Sequence, residues 1–332
     1  MTQPMERIEF ETQRLIDQYP PVWGHRNKQQ VHDIACPPGC THRGRIGYTR
    51  WASMALPGRA DVLRAVESVE GREDIFGYLP TADMPDAMEW YVNFADPHLF
   101  VAYGSALFAQ DEMQVAEHPA LGSLKEALEA GGHTTLTVEN GVPTPILVTG
   151  VERRCRVATD RNTERGHPDG LYGNAFARAS EAAVQAATAR IEPPTITNFI
   201  AIAAPHGGRG PYTQDEVEHI LRTAFTGFRA AQLESDNSRT RTVPMIVHTG
   251  FWGCGAFGGH RVLMAMLQVL AAGMAGVSRL VFHCFNQGGV RALAEATTRL
   301  RAVAPGGTMA STGQLIGQVV DMGFRWGVSD GN

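Results

Sequence analysis

Apolar residues recur along this chain at two spacings, and the switches between them mark an alternation of strands and helices. Helical spacing runs over 59–69, with Val62, Leu63, Val66 and Val69 on one face. It returns over 110–128, interrupted at His118-Pro119, and over the alanine-rich stretch 175–189. A long helix is predicted over 213–233, where Thr213 and Glu216 have the spacing of a capping box. Two more helices follow over 261–273 and 288–303. Strands are predicted over 90–95, 134–138, 145–151, 197–204, 245–247 and 279–285, with Asn140-Gly141 as the turn joining the second and third. A short helix is expected within 1–19, ended by Pro20-Pro21. The stretch 22–45 reads as irregular, 235–242 as a polar linker and 329–332 as a disordered tail. Strands alternating with helices predict a mixed sheet covered on both faces.

Composition narrows the setting. The 332 residues are 43% apolar and 19% charged, a globular balance. A net charge of −5 argues against a general nucleic-acid surface. No apolar run approaches the ~20 residues that span a bilayer, and residues 1–11 are polar and acidic, without a signal-peptide core. A cytoplasmic protein is expected, with no membrane partner. Five cysteines in a chain of this length do not make a disulfide framework.

Two stretches carry chemistry. In Gly250-Phe251-Trp252-Gly253-Cys254-Gly255-Ala256-Phe257-Gly258-Gly259, glycines alternate with small residues and two aromatics between a strand and a helix start. Glycine lets backbone approach a ligand, and a helix N-terminus offers free N–H groups to an anion. A packing turn would also use glycine; Trp252 and Phe257 favour a ligand cradle. The second stretch ends in Gln110-Asp111-Glu112 at a predicted helix start. Acids there complement the helix dipole. They also suit glycoside cleavage, which needs a carboxyl group to protonate the leaving oxygen. A Cys254 thiol activated by His248 ranks below the carboxylates. His206 and His260 read as loop histidines, His260 with a possible anion contact at its helix start. Cys36, Cys40 and His42, with His32 as a fourth candidate, have a spacing like that of zinc ligands. They match no standard zinc module, and the reading carried forward is a plain loop with no metal.

The glycine stretch resembles the G-N-W-G-C-G-A-F-G-G-D segment of the poly(ADP-ribose) glycohydrolases, with Phe251 in place of Asn and His260 in place of Asp. The resemblance continues in Phe94-Ala95-Asp96 and Gln110-Asp111-Glu112, which correspond to that family's Phe-Ala-Asn and Gln-Glu-Glu at matching spacing. Gly170 to Phe176 and Phe282 to Asn286 resemble its segments around the adenine. Where the family has three glycines, this chain has Phe100-Val101-Ala102.

The resemblance implies a macrodomain-like three-layer α/β/α sandwich over 86–332, preceded by a helical and irregular extension over 1–85. It implies hydrolysis of a ribosyl bond in an ADP-ribosylated or NAD-derived substrate, without a cofactor. Glu112 would be the acid/base and Asp111 would hold the ribose. Asp96, Gln110, Tyr172, Trp252, Gly253, Cys254, Gly255, Ala256, Phe257, Gly258, Gly259 and Phe285 would bind the substrate. The partner expected is thus a small nucleotide or ribosyl compound. A non-catalytic ADP-ribose-binding module and a tailoring enzyme on a small NAD-derived metabolite are the alternatives.

Overall fold

A computed structural model describes residues 3–237, 243–304 and 309–331. The chain begins with β1 (Glu6–Glu11), α1 (Thr12–Gln18), α2 (Arg26–Ala35), β2 (Arg45–Arg50), β3 (Arg59–Asp61), α3 (Val62–Glu67) and β4 (Val69–Arg72). The middle holds β5 (Met88–Ala95), α4 (Gln110–Glu117), α5 (Ala120–Ala130), β6 (Val138–Glu139), β7 (Val142–Pro143), β8 (Ile146–Val157), α6 (Ala175–Arg178), α7 (Glu181–Ala187) and β9 (Thr188–Ala203). The last part supplies α8 (Gln214–Asn237), β10 (Met245–Thr249), α9 (Arg261–Ala275), β11 (Arg279–His283), α10 (Gln287–Val303), β12 (Met309–Ser311) and α11 (Thr312–Asp321).

Eight strands form one sheet in the order β1-β2-β8-β9-β5-β10-β11-β4. The four pairings from β9 to β4 are parallel and the three from β1 to β9 antiparallel. The sheet is therefore mixed, as the alternation of spacings predicts. Its central strand shows how sequence sets the layers. Successive side chains on β5 point to opposite faces. Trp90 and Val92 enter a core shared with α8, α9 and α3. Tyr91 and Ala95 enter a second core with Leu15, Val115 and residues of α5. Asn93 has the parity of Tyr91 and so faces the α4 side.

Local pattern and tertiary pairing disagree in several places. Residues 6–11 form a strand ahead of the short helix, because β1 pairs with β2 over its whole length. The helix read over 59–69 keeps only 62–67; its ends are drawn into ladders with β12 and β11. Strands β1 and β4, both within the first 85 residues, thus close the two edges of the main sheet. The Asn140-Gly141 turn forms, with both residues at positive φ, but it joins β6 to β7, and 134–137 stay outside any strand. The helix over 175–189 divides at Ser180, whose side chain accepts from the Ala183 N–H and restarts the helix as α7. Its last two residues begin β9, paired with β8. Of the polar stretch 235–242, residues 235–237 extend α8 and 238–242 lie outside the described residues. The Thr213–Glu216 capping box is present, with the Thr213 N–H donating to Glu216 Oε2 at 2.7 Å. Among the described residues no helix is long and apolar enough to cross a membrane.

Candidate active site

The parallel strands β4, β5, β9, β10 and β11 all end at one edge of the sheet. In such sheets the crevice beyond the carboxyl ends collects ligands. A cleft of about 650 Å³ opens there, lined by residues that follow β4, β5, β10 and β11 together with the start of α4. It is within the size range of small-molecule sites.

On one wall, Asp111 and Glu112 lie in the first turn of α4 and both are buried. Asn93 Nδ2 donates to Asp111 Oδ1 at 2.8 Å and to Gln114 Oε1 at 2.8 Å. Gln110 spans the gap to β5, accepting from the Phe94 N–H at 2.9 Å and donating to the Val92 carbonyl at 3.0 Å. These bonds fix the start of α4 against the strand end. Glu112 Oε2 accepts from the Ala109 N–H at 3.0 Å, the return half of a capping box, which holds the carboxyl in one rotamer. Burial, then the adjacent Glu112 charge, pushes the Asp111 carboxyl up to about 8, against the pull of Asn93 and Lys28. Lys28, on α2, is fully buried beside this pair and donates to the Tyr103 carbonyl at 2.5 Å. Burial lowers its ammonium to about 8, although Glu112 and Asp111 favour the charged form.

The opposite wall is the loop between β10 and α9. Gly250 to Phe257 line the cleft, and Arg261 at the start of α9 lies over the Phe251 ring, 5.3 Å from its centroid. Trp252 lines it from below: its ring is buried in the core and its Nε1–H donates to the Ile202 carbonyl at 2.9 Å. Cys254 is also present, but burial raises its thiol to about 12, which disfavours a thiolate. His248 is not its partner. It stacks on Tyr91 at 4.2 Å and forms a hydrogen-bonded chain, His248 Nε2 to Glu89 at 2.8 Å, His248 Nδ1 to His283 Nε2 at 3.1 Å, and His283 Nδ1 to Asp74 at 2.6 Å. The catalytic-thiol reading is thereby excluded.

At the rim, Tyr172 and Phe285 are 45% and 70% exposed, large aromatic surfaces left without cover beside a cleft. Phe285 sits at φ +65°, a conformation costly for a bulky residue, immediately before the α10 N-cap Asn286. Asp96 lines the cleft and accepts from the His98 N–H at 3.1 Å.

Gly258 and Gly259 are the exceptions, since neither lines the cleft. Gly258, at φ +67°, faces the chain end: a Cβ there would meet the Gly327 carbonyl oxygen at 3.1 Å, and Gly258 accepts from the Gly327 N–H at 2.8 Å. A Cβ on Gly259 would meet the Gly253 carbonyl oxygen at 2.7 Å, where the loop closes on itself. Their role is to shape the cradle from behind. We therefore expect Gly258→Val to lower stability by about 1–3 kcal/mol through strain at positive φ. Thermal denaturation measures this; an unchanged midpoint with weakened ligand binding would return Gly258 to the ligand surface. His260 likewise turns away, packing against Phe324 at 4.9 Å.

Sequence reasoning missed Asn93, Lys28 and the end of the chain. The last described residues lie over the cradle: Trp326 stacks on Tyr212 at 4.3 Å, and Asp330, within the tail read as disordered, lines the cleft beside Gly255. The parity of Asn93 within a recognised strand was an available signal. Nothing in the local pattern around Lys28 distinguishes it from a solvated lysine.

Residues 164–292 match the family model described as poly(ADP-ribose) glycohydrolase (PARG), macro domain fold. The chain resembles the poly(ADP-ribose) glycohydrolases. Two crystal structures of the poly(ADP-ribose) glycohydrolase from Thermomonospora curvata are similar to it at 16% identity. One covers 81% of this chain and 96% of its own at a TM-score of 0.45. The other, bound to the inhibitor ADP-HPD, covers 82% and 97% at 0.48. The enzyme from Deinococcus radiodurans in complex with ADP-ribose is 14% identical, covering 73% of this chain and 90% of its own at 0.40. The family match spans Tyr172, the cradle and Phe285, and it stops short of Asp96, Gln110, Asp111 and Glu112. The sheet itself brings these two groups together.

Proposed function

We propose that this chain is a glycohydrolase that cleaves a ribosyl bond of an ADP-ribosylated or NAD-derived substrate. The observation that carries this reading is the buried Asp111–Glu112 pair facing the 250–257 cradle across one cleft, with Tyr172 and Phe285 at its rim. Residues 86–332 make up most of the catalytic unit, and 1–85 complete it with Lys28 behind the acidic pair and with Asp74, Ile75, Phe76 and Tyr78 on the cleft wall.

Each part has a task. The cradle and Arg261 hold phosphate, and the exposed aromatics take the base by stacking. Asp111 and Asp96 bind ribose hydroxyls. The Glu112 carboxyl gives its proton to the leaving oxygen as the C1″–O bond breaks. As carboxylate it then takes a proton from the water that attacks C1″, which regenerates the acid. A screen of ADP-ribosylated protein, NAD and small ribosyl glycosides for released sugar tests the activity. Specific binding without turnover on any of them would leave the binding-module alternative.

The segment at the family's glycine triplet is informative. Phe100 has φ +53°, a backbone shape suited to glycine, yet its ring is buried in the core. Val101 is 55% exposed and lines the cleft with Ala102. The loop thus keeps its turn while placing a branched side chain on the diphosphate path. We expect Val101→Gly to tighten ADP-ribose binding by up to about tenfold, or 1.4 kcal/mol, with little effect on ribose 5-phosphate. Calorimetry with both ligands decides it; equal ADP-ribose affinity in the two proteins would show that Val101 does not obstruct the diphosphate.

A further inference from the structure

Away from the cleft, α2 ends at Cys36, its C-cap, whose N–H donates to the His32 carbonyl at 2.7 Å. The chain turns through Pro37-Pro38-Gly39, with the Cys40 N–H donating to the Pro37 carbonyl at 3.0 Å, and returns through His42. Cys36 Sγ then stands 3.9 Å and Cys40 Sγ 3.8 Å from His42 Nε2. All three atoms lie within 4.8 Å of one another.

Those spacings fit a single ion. With Zn–S near 2.3 Å and Zn–N near 2.0–2.1 Å, two ligands on one tetrahedral zinc stand roughly 3.6–3.8 Å apart. Small side-chain movements would bring the three atoms to those spacings. Beyond distance, the histidine is oriented. His42 Nδ1 lies 3.0 Å from Glu152 Oε2, so its Nδ1–H donates to the carboxylate and the Nε2 lone pair is left facing the two sulfurs. A carboxylate behind a ligating imidazole is the usual outer partner in such centres. Glu152 is itself held by the Arg43 N–H at 3.1 Å and by Arg154 Nε at 3.0 Å. The His42 N–H donates to Gln13 Oε1 at 2.7 Å. The loop is therefore fixed from α1, β8 and α2 before any ion arrives. His42 is buried and the two cysteines are half-buried, which leaves a path for an ion. The carbonyl end of α2 adds a negative potential at this point.

We propose that Cys36, Cys40 and His42 bind one zinc ion, with Glu152 as the residue that positions His42. Two thiolates and an imidazole are soft and borderline ligands, which suit Zn²⁺ over Mg²⁺ or Ca²⁺. Binding releases two thiol protons to solvent and leaves the oxidation state of zinc and sulfur unchanged. The three protein ligands leave the fourth position to water. His32, the fourth ligand considered from the sequence, lies outside the group; its ring faces Trp23 at 5.4 Å. The ion would clamp the loop to β8 and fix the end of α2, the helix that carries Lys28 to the acidic pair.

The test uses untagged full-length protein produced with zinc in the medium and dialysed against metal-free buffer. Zinc is measured by mass spectrometry, and thiols are counted after denaturation. About one equivalent of zinc is expected in the wild type, with less than about a tenth retained by Cys40→Ser and by His42→Ala. Glu152→Gln keeps all three ligands and should weaken zinc about 10–100-fold in competition with a chelator. Titrating metal-stripped wild type with Co²⁺ should give a thiolate-to-metal charge-transfer band, a readout that does not depend on variants folding. Wild type without zinc and without that band would overturn the proposal, whether its cysteines are free or joined as a disulfide. Unchanged zinc in folded Cys40→Ser would overturn this ligand set.

Discussion

Replacing Glu112 by Gln is expected to lower kcat by about 10²–10⁴-fold, the range supplied by a positioned acid or base. The fold should persist. Gln keeps an oxygen that accepts from the Ala109 N–H, so the return contact at the start of α4 survives. Removing one of two adjacent buried carboxyls also relieves their repulsion, so the thermal midpoint should hold or rise. Asp111→Asn is the companion. It leaves the Glu112 proton path in place and should act on substrate binding as well as turnover. Wild-type turnover in a folded Glu112→Gln protein, on a substrate confirmed by sugar release, would remove Glu112 from the mechanism.

The same pair sets a dependence on pH. Burial, then the neighbouring Glu112 charge, raises the Asp111 carboxyl to about 8, while Asn93 and Lys28 oppose the shift and Asp96 adds to it. The pair therefore holds one proton at neutral pH, the one that Glu112 passes to the leaving oxygen in the proposed mechanism. It loses that proton near pH 8, so kcat/KM should fall above that point, approaching tenfold per pH unit. The sign for stability follows from linkage. Between the ordinary aspartate range near 4 and about 8, the folded chain holds a proton that the unfolded chain has released. This contribution is present at low pH and declines as pH rises through the window. Lys28→Met removes the buried cation that favours ionisation of the pair, and should move the alkaline limb upward by about one unit, a change of 1.4 kcal/mol. A rate profile flat to pH 10, or a downward shift in Lys28→Met, would show that the pair does not share its electrostatics with Lys28.

The proposed zinc site and the acidic pair are joined through the fold. The helix α2 connects them: its C-terminal end is at Cys36, and its first turns carry Asn27 and Lys28. Asn27 Nδ2 donates to the Phe176 carbonyl at 2.7 Å, tying α2 to the segment that includes Tyr172. Loss of metal would thus reach the cleft through the position of α2, while the ligands themselves stay outside it.

The sequence by itself determined the elements whose signals are local. The strand, glycine turn and helix over 245–275 form as read, because apolar spacing, glycine and a helix start all act within a few residues. The capping box of α8 and the break between α4 and α5 are of the same kind. Juxtaposition of the acidic stretch with the cradle was legible only through resemblance; the parallel order β9-β5-β10-β11 brings them to one edge of the sheet. Other features had no local signal. Residues 6–11 and 59–61 became strands because partners distant in the chain offered hydrogen bonds that outweighed their helical spacing. Lys28 entered the site because α2 packs against α4, and an isolated lysine carries no mark of burial. Gly258 left the ligand surface because the chain end returned to cover it. In each case the deciding energy came from contacts between residues far apart in sequence, which local spacing cannot encode.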